Sequence, residues 1–442
     1  MKKRDFGSFH VSNVQQLLHL STEDYVAPHL PIVLPKFEED SSSPFQFGAS
    51  VKRKHFLLEE ECIFLNHGAF GAVLKEVLHA AQSWQEYIER QPLRFFDREL
   101  LPLLVHVTRQ LAQFVGGEAS DLVLMPNVTT AINCVLRSLH LKKGESIFIL
   151  NIAYGAVKKA VSQVCLETGA TVHEATLSLP LQDGQQICQL VEEQLPSDCR
   201  LAVFDHIPSN TPFILPVKEI TEICHRRNTP VLIDGAHALG SLSLDLMTLG
   251  VDYYVSNAHK WFCASKGSAF MYVEKKHQAY TRPLVISHGF GSGFNSEFIW
   301  SGLRDYSPFL ALLTALDFWQ GVGAENIRTY IHGLAHTAGE LLKKRWDTEL
   351  LAPLEMSGSM LCVRLPAALY KDCSPVTYDF AEALQNALYH KFNIEVPIKA
   401  IQGHLYVRIS AHIYNTLEEY EQLAHAIGQL TNDMSWCQDS SS

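Results

Sequence analysis

The chain has 442 residues, 47% of them apolar and 19% charged, and a formal net charge of −11. That is the composition of an ordinary globular protein with room for two or three domains. The acidic balance supplies no basic face for nucleic acid or an anionic membrane, so a small molecule is the expected ligand.

The ten cysteines are scattered, with no C-x-x-C pair and no zinc-like spacing. Reduced thiols in a cytoplasmic protein are therefore expected, with no bound metal. No apolar run reaches the length of a membrane span, and the opening "MKKRDFGSFH" has charge but no apolar stretch of the kind a secretory signal needs.

Taken in chain order, residues 1–55 carry prolines and a serine cluster, as in "APHLPIVLPKFEEDSSSPFQFG", and predict an irregular arm. Order is expected to begin near "CIFLNHGAFG", opening a large domain over 56–300. Within it, short apolar runs at 122–125, 146–151, 171–175, 201–205, 231–233, 252–255 and 268–273 read as buried strands. Helix-length segments separate most of them, the pattern of a parallel-rich sheet covered on both faces. The interval 255–268 alone lacks a helix. A smaller α+β domain is expected over 301–435, with strands at 360–365, 394–397 and 405–410, followed by a flexible tail over 436–442.

In an open parallel sheet, ligands bind where loops leave the carboxyl ends of the strands. After the first strand, "PNVTTAINCVL" puts Thr129 or Thr130 at a helix start, where a threonine serves either as a plain N-cap or beside a phosphate. After the second, "IAYGAV" offers the flat face of Tyr154, which equally suits a core or rim position. Asp234 ends the buried "VLI" run and needs a cation, a hydrogen-bond donor or an N-cap role. Lys260, in "VSNAHKWFCASKG", follows the sixth strand. A lysine there is usually a solvated charge, but one desolvated at a crevice can form a Schiff base with an aldehyde. A phosphate seat, a stacking ring, an acid for a ring nitrogen and a lysine at four ends of one sheet are what pyridoxal phosphate requires.

"VLIDGAHALG" and "NAHKW" together with "FLNHGAFG", "QPLRFF", "DHIPS", "SHG" and "VRISAHIYNT" resemble, in order over about residues 60–430, the class V aminotransferase family of fold type I pyridoxal phosphate enzymes. The similarity lies with the branch of isopenicillin N epimerase-like proteins, plant-type cysteine desulfhydrases and ergothioneine lyases. It implies an aspartate aminotransferase-like α/β fold, with a mostly parallel seven-stranded sheet in the large domain, and a homodimer. By position it makes Lys260 the covalent seat of the cofactor and the base at the substrate Cα. Asp234 is implied as partner of the ring nitrogen, His237 of the phenolic oxygen, and Tyr154 as the stacking ring. Thr129, the Val128 amide, Asn257 and His259 are implied as phosphate holders, and Arg408 as the grip on the substrate carboxylate. Asn66, His67 and Ser209 are expected substrate or ring contacts.

Two departures stand out. Where related chains read G-T-R-D this one reads "SGLRD", so Leu303 replaces a threonine that would reach the partner subunit's phosphate; either Ser301 substitutes or the cofactor is held less firmly. The segment "NIEVPIKAIQGHLYVRIS" before Arg408 has no cysteine, and Cys373 falls in another loop, so a persulfide relay of the desulfurase kind is not expected. Three outcomes share the first proton transfer: β-elimination from a small cysteine-like amino acid, which is favoured, then epimerisation, then aminotransfer. A retired, purely binding descendant would be expected to have lost the lysine or the aspartate, and both are present. "GFGSGF" (289–294) lacks a preceding strand and following helix and is read as a mobile loop near the site rather than a dinucleotide fingerprint. His332 and His336, four apart, are read as a surface pair.

Overall fold

The computed structural model describes residues 14–37, 45–370, 376–433 and 436. Cys373 and most of the C-terminal tail lie outside them.

Order begins earlier than the proline and serine content predicts. Val14–His19 is a short helix whose Val14 and Leu18 are buried in the main core. It is tied down by Arg109, which donates to the carbonyls of Leu17, Leu18 and Leu20 and lies over the Tyr25 ring. Ala49–His55 forms a second helix that buries Val51, Lys52 and His55. A six-residue helix with only three apolar residues, Val14, Leu17 and Leu18, is too short for its periodicity to stand out, and the arginine that holds it is some 90 positions away.

Seven strands form the main sheet: β1 Leu122–Met125, β2 Ser146–Leu150, β3 Thr171–Ala175, β4 Cys199–Asp205, β5 Val231–Asp234, β6 Tyr253–Asn257 and β7 Ala269–Val273. Their order is β1-β7-β6-β5-β4-β2-β3. The pairs β2–β3, β2–β4, β4–β5 and β5–β6 are parallel, and β7 runs antiparallel to both β6 and β1. Interior strands β2, β6 and β7 are buried at every position, as expected when helices cover both faces, whereas the edge strand β3 is mostly exposed. The helix missing between β6 and β7 follows from that reversal: antiparallel neighbours need only a turn, not a crossover.

Asp252 anchors the entry to β6. Its buried carboxylate accepts from His225, His277 and Lys276 and from the Val231 amide, contacts that hold it below the usual carboxylate range against the cost of burial.

A second apolar core gathers residues from 335 onward, together with Leu65, around a three-stranded antiparallel sheet. Its strands are β8 Met360–Arg364, β9 Ile398–Ile401 and β10 His404–Ser410, in the order β9-β10-β8. The predicted strand at 394–397 is divided. Ile394–Glu395 pairs in parallel with Ile63–Phe64, and Ile398 begins the hairpin with β10 beyond Pro397, which has no amide to donate.

The helix Ala324–Trp346 serves both cores, with Ile327 and Ile331 in the first and Ala335, Ala338 and Leu342 in the second. His332 and His336 on it are half-buried rather than fully at the surface: they reach the carbonyls of Ser241 and Ser357 at 2.8 and 2.9 Å. "GFGSGF" is also better anchored than a mobile loop. It leads into the helix Phe294–Ile299, and a Cβ at Gly289 would collide with the Ser296 carbonyl.

Candidate active site

A cavity of about 190 Å³ opens at the carboxyl ends of β1, β2, β4, β5 and β6, where chain direction across the sheet reverses. Its lining includes Thr129, Tyr154, Asp205, Ser209, Asp234, His237, Asn257, His259 and Lys260. Residues spread over more than 130 positions thus converge because each follows a strand of one sheet.

Lys260 Nζ lies 3.0 Å from His237 Nε2. Burial lowers its pKa to about 8; the Asp234 and Asp205 carboxylates favour the charged form and Arg408 opposes it. The turn carrying the lysine is clamped from behind. His67 Nε2 donates to the Lys260 carbonyl at 3.0 Å and His412 Nε2 to the Trp261 carbonyl at 3.2 Å, the two rings stacked with centroids 4.0 Å apart. "FLNHGAFG" contributes a close backbone approach, since a Cβ at Gly71, with φ of 67°, would collide with the His259 carbonyl.

Asp234 and Asp205 are register partners on β5 and β4 and both are buried. Burial raises both carboxyls. The Ala236 amide, 2.9 Å from Asp234, and Lys260 pull Asp234 back, whereas Asp234 itself drives Asp205 well above the usual range. One ammonium facing two buried carboxylates favours a pair that retains a proton. Asp205 was not anticipated from the sequence, although "VFDH" presents the same signal as "VLIDG": an acid closing an apolar strand.

The phosphate end differs from expectation in two respects. Asn127 caps the helix Val128–Ser138 by accepting from the Thr130 amide at 2.8 Å, so neither threonine is the N-cap and Thr129 is left at the cavity wall. The Val128 amide, expected to hold an anion, donates instead to Asn257 Oδ1 at 3.1 Å. His259 keeps a buried Nδ1 with no partner, and burial lowers its pKa to about 4.

Arg408 is buried on β10. Nη1 donates to the Ser209 carbonyl at 2.6 Å and Nη2 to Asn66 Oδ1 at 2.7 Å, while Nε has no partner. No carboxylate among the described residues pairs with it, so the guanidinium is a buried cation lacking a counter-ion. Asn66 also donates to Glu395 at 3.0 Å. Asn66 therefore orients the arginine, and Ser209 links it to the cavity.

His67 is fully buried and not among the lining residues, because both ring nitrogens are engaged by Tyr414 and by the Lys260 carbonyl; the expected substrate contact is replaced by a structural one. His67, Cys263 and His412 lie close enough to suggest a metal. However, each Nε2 faces a carbonyl and must carry a proton there, so neither offers a lone pair at that atom. Leu303 is 74% exposed and takes no part in the cavity.

A pyridoxal phosphate suits the donors present. The helix start at Thr129 suits an anion, the orphaned His259 Nδ1 suits a phosphate oxygen that carries a proton, Asp234 suits a cationic ring nitrogen, and Lys260 is an amine whose pKa is lowered to about 8. The sheet order, the lysine after β6 and the aspartate ending β5 define the fold type I architecture.

The chain belongs to the aminotransferase class-V family, whose model matches residues 72–423. It is 33% identical over 400 residues to a probable L-cysteine desulfhydrase, chloroplastic, of Arabidopsis thaliana, covering 84% of this chain and 83% of that one. It is 30% identical over 399 residues to isopenicillin N epimerase of Streptomyces clavuligerus, covering 86% and 98%. Among solved structures, the cystine C-S lyase C-DES, in complex with cysteine persulfide, superposes with a TM-score of 0.70 at 22% identity over 83% of this chain and 97% of that one. Another structure of C-DES carries glycine covalently linked to its PLP cofactor, with a TM-score of 0.71 at 22% identity over 83% and 96%. No described helix is long and apolar enough to cross a membrane.

Proposed function

We propose that the protein is a pyridoxal phosphate-dependent carbon-sulfur lyase that acts on L-cysteine or a close derivative. The observation that carries this reading is the pairing of a near-neutral Lys260 amine with a buried, unpaired Arg408 in a chain 33% identical to a desulfhydrase.

Lys260 would anchor the cofactor, Asp234 would hold its ring nitrogen, Tyr154 would lie against its ring, and Thr129, Asn257 and His259 would take its phosphate. When bound, pyridoxal phosphate supplies a sink for the electron pair left on the substrate Cα. Arg408 grips the substrate carboxylate with its planar donors and so turns the Cα–H bond toward the lysine. Lys260 Nζ, the amine that faces the cavity, would then remove that proton. As the Cβ–S bond breaks, its electrons leave with sulfur as hydrosulfide and a Cα=Cβ bond forms. Water then converts the released enamine to pyruvate and ammonia.

No protein thiol is poised to receive the sulfur among the described residues near Arg408. Cys362, its register partner on β8, donates to the Asn210 carbonyl, and burial pushes its pKa up to about 12. The expected products from L-cysteine are sulfide and pyruvate in equal amounts, measured by a sulfide probe and a lactate dehydrogenase couple. Solvent deuterium entering Cα with no pyruvate formed would replace this reading with epimerisation, the second reading, which the epimerase relative favours.

We also propose a homodimer in the cytoplasm. The support is the set of exposed apolar side chains Phe70, Leu93, Ile286, Phe290 and Leu303, together with eight described cysteines that are all free. Light scattering reads the stoichiometry, and a monomer overturns it.

A further inference from the structure

Trp261, directly after the lysine, is fully buried, and its indole nitrogen lies 3.2 Å from His237 Nδ1. An indole N–H only donates, so Nδ1 must present its lone pair, and the proton of a neutral imidazole sits on Nε2. That Nε2–H points at Lys260 Nζ, 3.0 Å away. An N–H meets an ammonium unfavourably and a neutral amine well, because only the amine has a lone pair to accept.

We propose that Trp261 is a positioning residue: its indole N–H fixes His237 as the Nε2–H tautomer, and that tautomer favours the neutral form of the Lys260 amine, the form that captures an aldehyde. The inference rests on Lys260 being the covalent anchor. With a cofactor bound, the same donor would be available to its phenolic oxygen, so one tautomer would serve both states of the site.

The surroundings make the lock necessary. Lys260 faces Asp234 and Asp205, which favour its charge, and Arg408, which opposes it. His237 faces Lys260, Arg408, His67 and His259, and burial, followed by the Lys260 and Arg408 charges, holds it well below its ordinary range. With a bare Nε2, His237 would accept from an ammonium and join the carboxylates in stabilising charge on the lysine. The tryptophan forbids that arrangement, since Nδ1–H would then confront the indole N–H. Trp261 itself has little freedom: its carbonyl is held by His412, and a Cβ at Gly240, with φ of 90°, would lie 2.8 Å from its carbonyl carbon.

The test uses cofactor-free full-length protein carrying 3-benzothienylalanine at position 261, which keeps the ring shape and replaces N–H with sulfur, alongside Trp261→Phe. Nitrogen-15 NMR, assigned against His237→Asn, reads the tautomer, and pulse acetylation with mass spectrometry reads the titration of Lys260. Expected are Nε2–H and a midpoint near 8 in the parent, with the midpoint raised by about one pH unit in both variants, a tenfold loss of free amine at neutral pH. An unmoved midpoint in the benzothienyl protein overturns the proposal even if the Phe variant shifts, because ring shape would then be the cause. Finding Nδ1–H in the parent also overturns it. Neither reading needs turnover, so failure of the lyase assay leaves this test intact.

Discussion

Lys260→Ala is expected to abolish the visible absorbance of protein prepared with excess pyridoxal phosphate and to reduce sulfide release from L-cysteine by about 10²- to 10⁴-fold. That range is what a positioned acid/base group contributes, and losing the covalent anchor adds to it. Lys260 is the one lysine among the residues lining the cavity, so no neighbouring amine can stand in. Its position on a turn clamped by His67 and His412 means the truncation removes a side chain without releasing the backbone. A retained absorbance band in the variant would remove Lys260 from the cofactor role. A retained band with full turnover would remove the mechanism as well.

Arg408→Gln is expected to raise KM for the amino acid and lower kcat/KM roughly 10²- to 10³-fold while leaving the cofactor band in place. Removing one partner of a buried charged pair typically costs about 2–5 kcal/mol. The separation of effects follows from geometry: Arg408 is on β10, bonded to Ser209 and Asn66, and is not among the cavity-lining residues that meet the cofactor. Steady-state kinetics with a parallel absorbance titration check it. An unchanged KM would mean that another group reads the carboxylate. Loss of the band would mean that the arginine supports the cofactor rather than the substrate.

Where most of the candidate residues converge was readable from the sequence because it depends on local pattern. Asp234 and Lys260 each close an apolar run, and the ends of parallel strands meet in one crevice whatever their separation along the chain. What a side chain touches there was less readable. His67 sits in a motif that suggests substrate contact, yet its partners, Lys260 and Tyr414, are 193 and 347 positions away. The Val128 amide looked free for an anion until Asn257, 129 positions on, was found to accept from it. The strand at 394–397 reads as continuous because Val396 and Pro397 keep the segment extended; only the partner strands show that it serves two sheets. The arm departs from expectation for the opposite reason: prolines and serines dominate its composition, while a few buried residues, Val14 and Leu18 in its first described helix and Val51 and His55 in its second, tie it to the core.

The helix Ala324–Trp346 has a mechanical consequence. At 23 residues it is a rod about 35 Å long, seated at one end in the core that carries Lys260 and at the other in the core that carries Arg408. A tilt of a few degrees about its first turns is multiplied by that lever arm into a displacement on the scale of an ångström where β8 and β10 hold the arginine. The fit between an amino acid's carboxylate and its reacting carbon is thus gauged by the stiffness of a segment that touches neither.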